Sequence, residues 1–191
     1  FMSSPALLLR KPVIYISGDM DAISCIKGRA SVRKFRKDPI KDKVLEELLE
    51  AAVSAPSSGN LQNWEFVTVS KQENKDKLAE ATMGQGFLSQ APLVVVVCSN
   101  LKKISRYGSR GETLYSIQNT AAATQNLMLA AWDRGIGSCW IGAFSESEVR
   151  EALVLPEHVK PLAIVALGYP AEKPVKPERW PLKDFVHRER F

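Results

Sequence analysis

The spacing of apolar residues predicts several helices along the chain. In residues 42–54 apolar side chains recur three and four positions apart, with glutamates opposite, which predicts an amphipathic helix with Asp42 as its N-cap. Residues 71–82 predict a further helix. The longest helix is predicted over residues 113–134, and Gly135 ends it in the position that favours glycine after a helix. The predicted buried face of the first helix consists of Val44, Leu45, Leu48, Leu49 and Ala52.

Between these helices, short apolar segments predict strands. Residues 93–98 read LVVVVC, and such a continuous β-branched run is typical of a strand covered on both faces. Further strands are predicted at 66–70, 138–141 and 162–167. Because strands alternate with helices, the fold class is α/β or α+β, with a central sheet covered by helices.

Length and composition suit one globular domain. The chain has 191 residues, 45% of them hydrophobic and 25% charged. The apolar run at residues 6–9 is too short for a signal-peptide core, and basic residues follow it instead of preceding it. The folded domain is expected to begin near Met20, with residues 1–19 a leader, tag or extension. The domain is therefore expected at 20–191, with an extended proline-rich arm from about residue 169. We expect no membrane span and a cytoplasmic location.

Charge and cysteine content narrow the possible ligands. The net charge of +5 is scattered, without a basic run, so nucleic-acid binding is not expected, whereas a phosphate-bearing cofactor or a dinucleotide suits it. The three cysteines form no CxxC pair, and only His158 and His187 could offer imidazole. Neither a disulfide framework nor a metal site is therefore expected.

The first candidate binding segment is the basic stretch RASVR. If it is extended, Arg29, Ser31 and Arg33 point to the same side. Two guanidinium groups and a hydroxyl would suit a phosphate or an anionic ring. Taken alone, the same residues could equally form a solvated surface.

A second candidate is the loop between the first amphipathic helix and the next strand. It contains Pro56, Ser57, Ser58, Asn60 and Gln62. Its hydroxyls and amides can donate and accept hydrogen bonds around a planar polar heterocycle. The alternative is a loop whose polar side chains only cap their own backbone.

Two glycine-containing segments complete the candidates. In GIGSCWIGAF, residues 135–144, a glycine-rich strand end at Ile141, Gly142 and Ala143 would let a ligand approach the backbone. No strand precedes it and the spacing is not GxGxxG, so a Rossmann dinucleotide fold is not favoured. Later, GYP leads into an arm with Arg179. This basic arm could fold back to a phosphate or remain a solvated tail.

In order and spacing, the four segments together resemble the FMN-dependent nitroreductase family, over residues 20–191. The resemblance implies an α+β, three-layer fold with a central, mostly antiparallel sheet wrapped by helices. It also implies an obligate homodimer with FMN in two interfacial clefts. Two positions depart from the family: Ala30 lacks a polar side chain, and Asn63 stands where proline is common, so a looser loop is expected.

The resemblance also implies a role for each site residue. Arg33 would lie near N1 and the C2 carbonyl of the flavin, and the Gly142 and Ala143 N–H groups near N5 and O4. Arg179 would join Arg29 at the phosphate. From one chain the cleft would receive Arg29, Ser31 and Arg33, and from the other Pro56, Ser57, Ser58 and Asn60. The other residues expected to bind the cofactor are Ala30, Gln62, Ile141, Gly142 and Ala143.

The implied activity is hydride transfer from NAD(P)H, by a ping-pong mechanism, to nitroaromatic, quinone or similar acceptors. No catalytic acid or base is required, because the flavin carries the chemistry. One alternative is a flavin enzyme of the same fold with another reaction, such as dehalogenation, azoline oxidation or flavin fragmentation. Its lid could come from residues 85–90 or 102–111. Another alternative is a protein that stores or senses flavin without catalysis.

Overall fold

The computed structural model describes residues 20–191, so the predicted leader at 1–19 lies outside the described residues. The strands are β1 (Trp64–Val69), β2 (Leu93–Asn100), β3 (Gly137–Ile141) and β4 (Val159–Gly168). The helices are α1 (Ala22–Gly28), α2 (Asp42–Val53), α3 (Gln72–Glu80), α4 (Phe87–Gln90), α5 (Leu101–Ile104), α6 (Gly108–Arg110), α7 (Ser116–Asp133) and α8 (Glu146–Ala152). Within 20–191, none of the helices is both long and apolar enough for a bilayer span.

The strands form one sheet in the order β1-β2-β4-β3, and every neighbouring pair is antiparallel. Strand β2 is buried over all of its length except its last residue, Asn100. The prediction of a strand covered on both faces is therefore confirmed. A register shift between Val97 and Cys98 marks an irregularity in its pairing with β4.

Helices cover both faces of this sheet, because alternate strand residues point to opposite sides. On one side, Val94 and Val96 of β2 pack in a core with α3, α4 and α8. On the other side, Val95 and Val97 pack against α2 and α7, where Leu127 is fully buried. The arrangement is a three-layer α+β fold, and the predicted fold class is confirmed.

Two helix starts differ from the sequence prediction. The N-cap of α2 is Lys41, so the prediction of Asp42 as N-cap is wrong. Asp42 lies inside the first turn, where its negative charge still stabilises the helix through the helix dipole. The α-helical part of α7 begins at Ser116 because a π-helical segment, Gly111–Tyr115, precedes it. Its end agrees with prediction, since Gly135 has a φ of +72°.

The N-terminal and C-terminal segments meet beside the sheet. Ser31 forms a parallel bridge to Ser138 of edge strand β3, and Phe35 an antiparallel bridge to Pro170. The last backbone hydrogen bond between the two segments runs from the Ala171 N–H to the Lys34 carbonyl, 2.9 Å. Beyond it the chain is almost wholly exposed up to Phe191. This arm carries exposed apolar side chains, including Trp180, Leu182 and Phe185.

Candidate functional site

The RASVR segment alternates as the sequence predicts. Ser31 and Arg33 are exposed and Arg29 is half-buried, whereas Ala30 and Val32 are buried. The two buried residues pack in a small core cluster below the segment. The Ala30 side chain therefore cannot touch a ligand on the outer face, whereas its backbone could.

The two arginines of this segment have no carboxylate partner within residues 20–191. The Nη1 atom of Arg29 is buried and has no hydrogen-bond acceptor there. Leaving such a donor unsatisfied costs about 1–3 kcal/mol, and more for a charged group. The guanidinium carbon of Arg33 lies 6.0 Å from the centroid of the Phe87 ring. An anion with several acceptor oxygens, such as a phosphate, would satisfy the buried donor.

Next to Arg33 there is a cavity of about 570 Å³, a size usual for small-molecule sites. Its wall includes Phe87 and Gln90 of α4 and the start of the C-terminal arm. An ion pair of 2.9 Å between Lys34 and Glu172 holds the arm at this wall. The cavity therefore joins the basic segment, α4 and the arm in one place.

Residues Gly142 and Ala143, which follow β3, are both exposed. A Cβ added to Gly142 would meet only Trp140 Nε1, at 4.0 Å, so the space beside this backbone is open. Ile141 is 1% exposed and belongs to the core. Its side chain cannot reach a ligand, although its backbone could.

The PSSGN loop precedes β1, the opposite edge strand. Its short 3₁₀ turn, Ser58–Asn60, contains left-handed residues at Gly59 and Asn60, with φ of +57° and +54°. Gln62, also left-handed, donates its N–H to Ser57 Oγ at 3.0 Å. The loop thus caps part of its own backbone, as the structural alternative predicted. Pro56, Asn60 and Gln62 remain exposed, whereas Ser57 and Ser58 are half-buried.

A chain of buried amides anchors this loop. The Ser58 N–H and Oγ both donate to Asn119 Oδ1, at 3.0 and 3.2 Å. Asn119 Nδ2 donates to Asn63 Oδ1 at 2.6 Å, and Asn63 Nδ2 donates to Ser99 Oγ at 2.8 Å. The expectation that Asn63 loosens the loop is wrong, because this side chain is fully buried and hydrogen-bonded at both ends. Sequence reasoning missed Asn119 and Ser99 entirely.

One protomer does not bring the two polar groups together. The basic segment lies beside β3 and the PSSGN loop leads into β1, at opposite edges of the sheet. Three strand spacings of about 4.8 Å separate those edges by about 14 Å. The two groups also lie towards opposite ends of the strands, about 20 Å apart along them. Ser138 is level with Leu93 at the start of β2, whereas Trp64 is level with Ser99 near its end.

Arg179 lies in the exposed arm, and the arm returns towards the basic segment. Lys176 Nζ donates to the carbonyl of Lys27, two residues before Arg29. Three residues of chain span at most about 10 Å. Arg179 is therefore within reach of the surface around Arg29, although the structure shows no contact between them.

Comparison with known proteins places this arrangement in a family. The model of the nitroreductase family matches residues 26–87 and 80–169. The chain belongs to the nitroreductase family. Both matched segments fall within the part that the structure describes, and they include the basic segment, the PSSGN loop and the Gly142 turn.

Curated and solved members of the family extend the match. An NADH dehydrogenase of Thermus thermophilus is 34% identical, covering 87% of this chain and 95% of its own. An oxygen-insensitive NADPH nitroreductase of Salmonella typhimurium is 30% identical, covering 88% and 74%. The structure of an NADPH:FMN oxidoreductase from Vibrio harveyi, in complex with NAD⁺, superposes with a TM-score of 0.81. It is 30% identical and the match covers 88% of this chain and 77% of that one.

These matches confirm the resemblance inferred from the four sequence segments. They also confirm the enzyme class, so the chain is an oxidoreductase of the nitroreductase family. In this family member the outward-facing polar side chains beside β3 and the loop before β1 form the candidate active site.

Proposed function

We propose that the chain is an FMN-dependent oxidoreductase that takes hydride from NAD(P)H and passes it to nitroaromatic, quinone or similar electron-poor acceptors. The observation that carries the proposal is the buried Arg29 guanidinium nitrogen, which has no acceptor among residues 20–191 and belongs to the same extended segment as Ser31 and Arg33. Relatives named for FMN reduction and NADPH-dependent nitroreduction support the choice of cofactor and donor.

The residues present fit FMN. Arg29, joined by Arg179 of the arm, would hold the phosphate, because a phosphate partly removed from water needs paired charges. Arg33 would supply a fixed cation to the pyrimidine edge, where reduction places negative charge. The N–H groups of Gly142 and Ala143 would donate to the ring at N5 and O4. When bound, FMN would supply the hydride-accepting and hydride-donating centre.

The proposed active unit is a homodimer. Residues at opposite edges and towards opposite ends of one sheet can meet around one ligand if the PSSGN loop of one protomer approaches the basic segment of the other. The exposed arm supports this arrangement, since Trp180 and Leu182 are each 75% exposed in a single chain. With Val175, Phe185 and Val186 they form a series of exposed apolar side chains along the arm, and such a concentration is typical of a protein–protein interaction surface.

The order of the reaction follows from one open face. If donor and acceptor share one exposed face of the flavin, NAD(P)H and the acceptor would bind there in turn, which would give a ping-pong mechanism. The protein's task is to bind, orient and exclude water. No side chain is required to move a proton for the hydride transfer itself.

The test is an absorption spectrum of the purified protein before and after anaerobic addition of NADH or NADPH. We expect a flavin band that bleaches with one of these nucleotides and returns when a quinone or nitroaromatic is added. A protein that neither carries nor takes up FMN would contradict the proposal. Bleaching that no such acceptor reverses would favour a same-fold flavin enzyme with another reaction.

A further inference from the structure

The structure assigns Asn119 and Asn63 as positioning residues for the flavin: they fix the place and the hydrogen-bond polarity of Ser58. This inference rests on the proposed function, in which Ser58 reaches the cofactor of the partner protomer. Neither amide touches the open face, since Asn119 is 4% exposed and Asn63 is fully buried. Their effect must therefore pass through Ser58.

The hydrogen bonds of this network run in one direction. Ser58 donates to Asn119, Asn119 donates to Asn63, and Asn63 donates to Ser99. Ser99 lies on the central strand β2, opposite Trp64 of β1, and is itself fully buried. The network thus ties the PSSGN loop to the buried central strand of the sheet.

Other polar groups of α7 do not compete for the loop. The hydroxyls of Ser116 and Thr120 donate to carbonyls one turn earlier, those of Glu112 and Ser116, at 2.5 and 2.7 Å. Asn119 lies between them in sequence and is the α7 side chain that the structure shows bonded to Ser58. Removing it would leave the loop without this connection to the helix.

The direction of the network limits what Ser58 can bind. Because both its N–H and its hydroxyl proton are directed at Asn119 Oδ1, Ser58 Oγ offers only lone pairs to a ligand. An acceptor oxygen needs a donor on the ligand. In FMN the donors are the ring N3–H and the ribityl hydroxyls, so Ser58 is directed to one of these groups and away from the carbonyl oxygens.

The test compares the FMN dissociation constants of apoprotein variants, measured by fluorescence titration, with their thermal unfolding. We expect Asn119→Ala and Asn63→Ala to weaken FMN binding about tenfold, the effect of about one lost well-oriented hydrogen bond. The matched control is Asn126→Ala on the same helix, whose Nδ2 donates to the Ala51 carbonyl at 3.1 Å. It should lower the unfolding temperature similarly and leave FMN affinity unchanged.

A conservative variant separates positioning from simple packing. In Asn119→Asp the carboxylate can still accept both bonds from Ser58. The Asn63 amide can turn to donate to it, and the Ser99 hydroxyl can rotate to donate to Asn63. We therefore expect Asn119→Asp to restore most of the FMN affinity that Asn119→Ala loses.

The outcomes distinguish this inference from the proposed function. Wild-type protein without flavin affinity would overturn the function itself. Wild-type binding together with unchanged affinity in Asn119→Ala, or with an Asn119→Asp variant as weak as Asn119→Ala, would overturn only the positioning role. If the alanine variants do not fold, Ser99→Ala provides the test, with a smaller expected loss of affinity, and unchanged affinity there would also refute the inference.

Discussion

The two halves of the candidate site are held in opposite ways. Beside β3, backbone bridges fix the basic segment, while the guanidinium groups of Arg29 and Arg33 have no acidic partners within residues 20–191. Before β1, side chains fix the PSSGN loop, since Ser58 and Asn63 are both bonded to Asn119. In the first half the charged side chains are left available to a ligand, whereas in the second half the polar side chains are hydrogen-bonded to one another.

This difference indicates what each half loses when it is altered. Where side chains lack partners in the protein, the ligand is the missing partner, so substitution should affect binding and spare the fold. Where side chains bond one another in the interior, substitution should reduce both stability and binding. Three sets of substitutions, at arginine, glycine and cysteine positions, test this contrast.

The largest effect is expected from Arg29→Ala. FMN affinity should fall about a hundredfold, because hydrogen bonds to a charged group contribute about 1.5–3 kcal/mol each. The free energy of unfolding of the apoprotein should not fall, because the variant removes a buried donor that has no acceptor in the described part of the chain. FMN titration and urea unfolding of the apoprotein measure the two quantities.

The matched control for this change is Arg36→Ala. Arg36 lies three residues beyond the basic segment, pairs with Asp38 at 3.2 Å and lies over the Tyr169 ring. It should leave FMN affinity unchanged. An Arg29→Ala protein that binds FMN normally but unfolds more easily would show that the basic segment is structural.

How far the sequence predicted the two halves depends on the range of the interactions. The outward face of Arg29, Ser31 and Arg33 follows from local geometry, because neighbours in an extended chain point to opposite sides. The same rule places the Ala30 side chain inward, although Ala30 was counted among the cofactor-binding residues because it belongs to the segment. The covered sheet was likewise predictable from the run of β-branched residues in β2.

The anchoring of the PSSGN loop could not be predicted in this way. Asn119 and Asn63 are 56 positions apart, and Asn63 and Ser99 are 36 apart. Nothing local marks an asparagine in an alanine-rich helix as the partner of a distant loop. Only the packing of α7 across one face of the sheet brings these side chains together. Family resemblance therefore suggested a looser loop where the structure has a tethered one.

An intermediate effect is expected from two glycine substitutions, one in each half. Gly142→Ala should leave the free energy of unfolding within about 0.5 kcal/mol of wild type, since the new Cβ meets only Trp140. It should still weaken FMN binding about tenfold, because the methyl group enters the space where the ring approaches the backbone. Gly59→Ala should instead cost about 1–2 kcal/mol of stability, because Gly59 has a φ of +57° and its Cβ would contact Arg106.

Calorimetry of the two apoproteins, with FMN titrations beside it, would check this pair. Equal stability losses in both variants would remove the distinction between an open and an internally held half. A Gly142→Ala variant with unchanged FMN affinity would show that no ligand approaches this backbone.

The smallest effect concerns a buried cysteine near each half. Burial raises the pKa of Cys98 from 9.0 to about 12. Burial also raises the pKa of Cys139, but there the charges of Arg33 and Arg29 act in the opposite direction. Above pH 9 the unfolded chain releases the Cys98 proton and the folded chain keeps it, so stability falls as pH rises, by about 1 kcal/mol between pH 9 and pH 10.

Urea unfolding at several pH values above 9 would therefore separate the two sites. Cys98→Ala should flatten the decline of stability relative to wild type, while its lost packing adds an offset that does not depend on pH. Cys139→Ala should flatten it less, because the neighbouring guanidinium groups stabilise the thiolate in the folded chain. Equal slopes for the Cys139→Ala and Cys98→Ala proteins would mean that the cations beside β3 are too far away, or too well solvated, to act on the interior of the sheet.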